Sequence, residues 1–185
     1  HEHLGYDAVK PLSSFFSRNG LELINVERTT VKGGSIRGIV QLAGGPRKVQ
    51  PAVAELIALE DSHGLESSAP YQKIVQQIDL EKVELPQLVK KLKSEGKRIA
   101  GYGSSVGCVT LIYHFGLGDV LDFLVDDDTR YHGLFSPGHH ILAHSPQAIY
   151  DRNPDYVIVV AWRKTEPIIG NHQKYLDQGG KFIVL

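Results

Sequence analysis

The sequence predicts an α/β protein whose carboxy-terminal half is built on a parallel sheet. After residue 97, short apolar runs alternate with helical segments, and the first run leads into a glycine-rich turn that opens a helix. Short apolar strands separated by helices are typical of a parallel sheet covered on both faces. Strands are predicted at residues 98–102, 120–125, 156–161 and 181–185, and helices at 106–115 and 166–178.

The amino-terminal part predicts a different arrangement. Residues 6–18 carry apolar side chains at helical spacing, and Asn19-Gly20 supplies a helix stop. Residues 21–29 and 35–42 predict an antiparallel pair of strands. Helices are predicted at 52–59 and 70–92, with interruptions near Ser67-Ser68 and at Pro86. We therefore divide the chain into residues 1–45, a helical linker region at 46–96, and a domain at 97–185.

Composition favours a small-molecule ligand. The 185 residues are 42% apolar, and 20 basic side chains against 21 acidic ones leave a net charge of -1. No global field attracts nucleic acid or an anionic membrane. A single cysteine, Cys108, excludes an intramolecular disulfide, and no apolar run approaches the roughly 20 residues of a membrane span. The polar start, His1-Glu2-His3, does not resemble a signal peptide. We expect a cytoplasmic protein.

The glycine-rich turn GYGSSVG at residues 101–107 is the first candidate site. Gly101 and Gly103 permit a tight turn, and Ser104 and Ser105 precede a helix whose free N–H groups can hold an anion such as pyrophosphate. The spacing departs from the dinucleotide pattern because Gly107 comes one residue late. Phosphate binding and a purely structural turn remain equal alternatives.

Acidic and histidine-rich loops follow. Asp126 ends the second strand about 20 residues beyond the turn, where a dinucleotide-binding domain places its ribose-binding acid. It is either a hydroxyl acceptor or part of a solvated acidic loop. His132, His139 and His140 invite a metal-site interpretation, but no cysteine or acid stands at ligand spacing in their loop. We predict no metal site, since such histidines commonly hydrogen-bond the backbone.

The first three residues, His1-Glu2-His3, form a third candidate. An imidazole suits proton abstraction, and a neighbouring carboxylate can orient it. Judged by spacing alone, a frayed terminus is the stronger interpretation.

Together these segments resemble the sugar C-methyltransferases, which methylate a carbon of a nucleotide-linked deoxysugar. Residues 1–6 look like the family's Tyr-x-Glu-His-x-x-Tyr, and residues 32–37 like its His-Gly-Gly-Ser-x-Arg. Five ordered blocks follow at 101–104, 136–140, 154–156, 161–163 and 179–182. Two departures stand out: Gly107-Cys108-Val109 replaces Lys-Gly-Asn, and Trp162-Arg163 replaces Trp-Asn. The first removes a loop lysine that would meet phosphate.

The resemblance implies roles for residues in this chain. His3 would be the general base, Glu2 would orient it, and Tyr6 would line the sugar pocket. Residues 1–45 would end the S-adenosylmethionine domain, and 97–185 would form a Rossmann-like domain that binds the nucleotide-linked substrate. In that domain the predicted substrate contacts are the turn residues, Asp126 and, by the resemblance, His139 and His140.

The resemblance also concerns the methyl donor. S-adenosylmethionine would be bound mainly by a domain that precedes His1, so this chain alone would be inactive.

Two alternatives stay open at this point. One is a nicotinamide-dependent oxidoreductase domain, supported by the glycine turn and Asp126. The other is a non-catalytic interaction module. The sequence does not decide the oligomeric state.

Overall fold

The computed structural model describes residues 6–185 and separates into two compact units, His1–Gln76 and Gln77–Leu185. The first unit contains α1 (Val9–Arg18), β1 (Leu21–Thr29), β2 (Ser35–Leu42) and α2 (Pro51–Ser62). β1 and β2 form the antiparallel pair that the sequence predicts, and Thr29 lies opposite Ser35. Buried Val9, Leu23, Val26 and Val53 form the core of this unit, so each of α1, β1 and α2 contributes to it.

A carboxylate on α2 caps α1. The residue before α1 is Ala8, which has no side-chain acceptor for the free N–H groups of the first helical turn. Glu60 replaces it: its two carboxylate oxygens accept the backbone N–H groups of Val9 at 2.6 Å and Lys10 at 2.9 Å. A negative group at the positive end of a helix is favourable, so this contact ties α2 to α1.

Helix α3 (Ala69–Ser94) runs without interruption through Pro86. The predicted break is therefore wrong. A proline inside a helix removes one hydrogen bond and costs about 3 kcal/mol. Leu85, Val89 and Leu92 are buried in the core of the second unit, and burial of each such side chain gains about 1.5–3 kcal/mol, which outweighs that cost.

The second unit is built on a parallel sheet of five strands. They are β3 (Ile99–Tyr102), β4 (Phe123–Val125), β5 (Ala143–His144), β6 (Tyr156–Val159) and β7 (Lys181–Val184), in the order β5-β4-β3-β6-β7. The helices are α4 (Val106–His114), α5 (Ala148–Arg152), α6 (Thr165–Asn171) and α7 (Gln173–Asp177). One core joins the end of α3 and α4 to the sheet, and another contains residues of α5, α6 and α7. This confirms the predicted α/β class with a Rossmann-like sheet.

Three local expectations differ from the structure. The predicted helix at 166–178 is broken at His172 into α6 and α7, and the predicted strand at 120–125 is limited to Phe123–Val125. β5 and α5 were not predicted. β5 has two residues and is held by pairing with β4, which a local sequence pattern does not reveal.

The strand order creates a crevice at the carboxyl ends of the central strands. β3 is central, β4 pairs with it on one side and β6 on the other. The chain therefore leaves the carboxyl ends of β3 and β6 in diverging directions, and ligands of open α/β sheets bind at such a switch point. The turn after β3, the acidic residues after β4 and the residues after β6 all meet there.

Candidate functional site

The glycine turn is shaped by close packing. Gly103 has a φ of 121°, and a Cβ there would lie 2.6 Å from Cys108 Sγ and 3.0 Å from the backbone N of Ala161. A Cβ on Gly101 would lie 2.6 Å from Leu124 Cδ2 on the neighbouring strand. Position 103 therefore requires glycine, whereas a side chain at position 101 would have to displace the buried Leu124 side chain. Gly107, in the first turn of α4, has open space around it, so nothing in its surroundings requires glycine.

A cavity of about 460 Å³ lies beside this turn. It is bordered by the glycine turn on one side, by the residues after β4 on another, and by the residues after β6 on a third. Of the predicted site residues, Gly103, Ser105 and Asp126 line it. Gly101 lies within β3 and Ser104 lines a second cavity instead. The structure therefore brings three of the predicted binding residues, Gly103, Ser105 and Asp126, to this cavity.

Asp126 uses its carboxylate to hold the turn together. One oxygen accepts the Ser104 N–H at 2.6 Å, and the other accepts the Asp128 N–H at 2.9 Å. The carbonyl of Asp126 lies 2.8 Å from His132 Nε2, so this histidine contacts backbone, as expected for its loop. Both oxygens of Asp126 thus hold the fold of the two loops, although the residue also lines the cavity.

Two basic residues after β6 also line the cavity. Arg163 and Lys164 are exposed, and the Arg163 guanidinium stacks at 5.0 Å over the half-exposed ring of Trp162. A third cation, Arg130, is engaged by Asp128 through a 2.6 Å ion pair. That pair's side-chain hydrogen bonds lower the pKa of Asp128 to about 2. Arg163 and Lys164 are thus the cations that the cavity can offer to an anion.

A chain of buried polar rings ends at the same cavity. Tyr102 Oη donates to Asp127 Oδ1 at 2.8 Å and lies 3.3 Å from His172 Nε2. On its other side, His172 Nδ1 lies 2.9 Å from Tyr150 Oη. Burial lowers the pKa of His172, and burial together with the hydrogen bond to Asp127 raises the pKa of Tyr102 far above its usual value. The imidazole and the phenol therefore stay neutral near pH 7.

A second, largely apolar cavity of about 610 Å³ lies on the other side of the glycine turn. Val106, Tyr113, Leu134 and Phe135 are among its lining residues, and Tyr131 borders both cavities. Ser104 lines it as well, and its buried hydroxyl has no hydrogen-bond partner among residues 6–185. The turn thus borders two cavities, of which the second is the more apolar.

The remaining predicted residues lie elsewhere or outside the described residues. His3 and Glu2, the predicted base and its orienting acid, precede residue 6, so nothing is described for them. Tyr6 is 93% exposed. The ring of His139 packs on Tyr113 at 4.5 Å, and neither His139 nor His140 borders either cavity.

Sequence reasoning missed Asp127, Tyr102 and His172. Asp127 follows Asp126 directly. Because successive side chains of a strand point to opposite sides, the two carboxylates at the end of β4 could have been expected to face different surroundings. His172 was placed inside a continuous helix and carried no local signal.

Among residues 6–185, no group of three or more His, Cys, Asp or Glu side chains is placed to hold a metal ion. Within the same range, no helix has the length and apolar character needed to cross a membrane.

Comparison with known proteins identifies the class. The chain belongs to the family described as C-methyltransferase C-terminal domain, whose profile matches residues 30–185. This confirms the resemblance to C-methyltransferases that the sequence motifs indicate.

A specific relative is C-methyltransferase NovU of Streptomyces niveus. It is 32% identical over 185 residues, which cover 100% of this chain and 44% of the relative. The chain thus spans less than half the length of that curated protein.

Proposed function

We propose that this chain is the carboxy-terminal part of an S-adenosylmethionine-dependent C-methyltransferase and that its second unit binds a nucleotide-linked sugar. The observation that carries the proposal is the cavity in which the glycine turn shares walls with Arg163 and Lys164. The whole enzyme's activity is proposed from the family and from the relative's name.

The diphosphate of the substrate is placed between the helix start and the two cations. The first N–H groups of α4, including those of Gly107 and Cys108, have no partner within the helix, and both residues line the cavity. A helix N-terminus favours negative charge, and a guanidinium can bind two phosphate oxygens at once. Arg163 and Lys164 would supply the charge that the glycine turn itself lacks.

The role of this binding is to position the sugar. Binding energy from the nucleotide, remote from the reacting carbon, can hold that carbon in line for methyl transfer. The exposed face of Trp162 at the rim offers a stacking surface to a sugar or a base. Deprotonation of a carbon next to a keto group is assigned to His3, oriented by Glu2, with Tyr6 beside the sugar, as the sequence resemblance implies.

S-adenosylmethionine supplies the methyl group in this proposal. Of the three cations on the wall of the cavity, Asp128 pairs with Arg130, and Arg163 and Lys164 remain to meet an anion. Two such cations suit a diphosphate better than a positively charged sulfonium. We therefore assign the methyl donor to residues outside the described range. We expect the isolated 185-residue chain to bind no S-adenosylmethionine and to have no methyl-transfer activity, as measured by calorimetry and a radiolabelled-methyl assay.

Calorimetry with the full-length protein tests the substrate class. We expect saturable binding of dTDP-glucose, weakened about 10-fold by Arg163→Gln and by Lys164→Gln, since each charged hydrogen bond contributes about 1.5 kcal/mol or more. The matched control is Lys90→Gln, an exposed cation on α3 that does not line the cavity. Absence of nucleotide-sugar binding together with saturable NAD binding would instead support the oxidoreductase alternative.

A further inference from the structure

The two neighbouring carboxylates after β4 are used differently. Both oxygens of Asp126 accept backbone N–H groups of the adjoining loops. Asp127 is exposed and lines the cavity, and among residues 6–185 its hydrogen-bond donor is the Tyr102 hydroxyl. A carboxylate has about four acceptor sites, so Asp127 retains most of its capacity. Asp127, one residue beyond the position that the glycine-turn spacing indicates, is therefore the carboxylate of the two with more acceptor sites free for a ligand.

The polar chain behind Asp127 has a defined direction. Tyr102 gives its one proton to Asp127, so it can only accept from His172. Neutral His172 then carries its proton on Nε2, and its bare Nδ1 accepts from the Tyr150 hydroxyl. Each donor in the series Tyr150, His172, Tyr102 thus points toward the next group and finally toward Asp127. This assignment of protons gives each of the three hydrogen bonds one donor and one acceptor.

Its burial makes the arrangement rigid. His172 is 6% exposed and Tyr102 2% exposed, so water has little access to either side chain. Polar groups buried at this depth cost free energy unless they are hydrogen-bonded, and hydrogen bonds in series polarise one another. This buried series of hydrogen bonds orients one exposed carboxylate at the wall of the cavity.

We propose that Asp127 is the group with which this cavity recognises a sugar-ring hydroxyl of its ligand, and that Tyr102 and His172 are the positioning residues that hold its carboxylate in place. The inference rests on the proposed binding of a nucleotide-linked sugar. The hydroxyl belongs either to the ribose of the nucleotide or to the attached hexose. Both present the same chemistry, an O–H donor to a preoriented carboxylate.

The first experiment measures dissociation constants of the full-length protein for UDP and UDP-glucose by calorimetry. We expect Asp127→Asn to weaken UDP-glucose binding about 10-fold, the loss of a charged acceptor for a hydroxyl. An equal loss for UDP assigns the hydroxyl to ribose, and a loss confined to UDP-glucose assigns it to the hexose. The matched control, Asp119→Asn, alters a carboxylate whose side chain is 97% exposed and lies off the cavity.

The second experiment separates positioning from structural support. Tyr102→Phe and His172→Gln should each weaken UDP-glucose binding about 3-fold, and neither should weaken it further when combined with Asp127→Asn, because they act through that carboxylate. Melting temperatures measured alongside report any loss of stability. Lower melting temperatures with an unchanged dissociation constant would assign these two residues to structure alone and overturn their positioning role.

The failures are distinguishable. Wild-type protein that binds none of dTDP-glucose, UDP and UDP-glucose contradicts the proposed function and this inference with it. Wild-type protein that binds UDP-glucose, with Asp127→Asn binding it equally well, overturns the inference alone and leaves the substrate class intact.

Discussion

The Asp126 carboxylate accepts the Ser104 backbone N–H at 2.6 Å and so fastens the end of β4 to the turn that follows β3. With its second oxygen on the Asp128 N–H, it closes the acidic loop as well. One side chain therefore fixes the relative position of two of the three cavity walls.

Asp126→Ala should lower the free energy of unfolding by about 2 kcal/mol. The substitution leaves two partly buried N–H groups without an acceptor, and each such loss typically costs 1–3 kcal/mol. Urea unfolding monitored by circular dichroism measures the change. Asp119→Ala, on an almost fully exposed side chain, should stay within about 0.5 kcal/mol of wild type. Equal stability of the two variants would contradict the role assigned to Asp126.

Gly103→Ala should destabilise the protein by about 3 kcal/mol. The residue has a φ of 121°, and the new Cβ would press on Cys108 Sγ and the Ala161 backbone. Gly107→Ala is the matched control in the same turn: it has open space and helical backbone, so it should be neutral or stabilising by up to about 1 kcal/mol. Thermal unfolding of both variants gives the comparison. Similar melting temperatures would show that the turn adapts to a side chain at position 103.

His172 should make the protein less stable in mild acid. Burial lowers its pKa in the folded state below the ordinary 6.5, so the unfolded chain binds more protons as the pH falls. Above pH 6.5 His172 is neutral in both the folded and the unfolded chain, so it costs no stability. As the pH drops through 6.5 toward the folded-state pKa, the free energy of unfolding falls. Urea titrations between pH 5 and 8 measure this slope.

His172→Gln should reduce that slope without removing it. Burial also lowers the pKa of His144, which acts in the same direction and remains in the variant. An unchanged slope in His172→Gln would show that His172 is protonated equally in the folded and unfolded chains.

Arg130→Gln should raise the pKa of Asp128 from about 2 toward its ordinary 3.8. The hydrogen bonds of Arg130 to that carboxylate are the main cause of the depression. Carbon-13 NMR of the carboxyl resonance during an acid titration measures it. Arg163→Gln, on the next loop of the cavity, should leave the Asp128 titration unchanged. Because the pair is exposed, we expect little effect on stability from either substitution.

Much of the fold was predictable because it is encoded locally. The strands at Leu21–Thr29 and Ser35–Leu42 match their predicted bounds, since β-rich runs around a glycine pair define a hairpin. Pro86 misled the local prediction because tertiary burial of the flanking Leu85 and Val89 outweighs the intrinsic cost of a helical proline.

The candidate site was predictable only in part. The glycine turn was found because its backbone requirement is written in residue types. The sequence could not predict whether Asp126 or Asp127 has the carboxylate that is free for a ligand. That depends on which of them accepts the N–H of Ser104, which lies 22 residues earlier in the chain. His139 and His140, implied by resemblance, remain predictions without a place in either cavity.

By itself the sequence determined the α/β class, the parallel sheet, the glycine turn and the relationship to C-methyltransferases. Helical and strand periodicities and glycine requirements act over a few residues, so they can be read along the chain. Only the tertiary structure decided that Tyr102 meets His172 across 70 residues and Asp127 across 25, and that Arg163 borders the same cavity as Gly107. Those meetings depend on the order of strands in the sheet, which sets distances in space independently of separation in sequence.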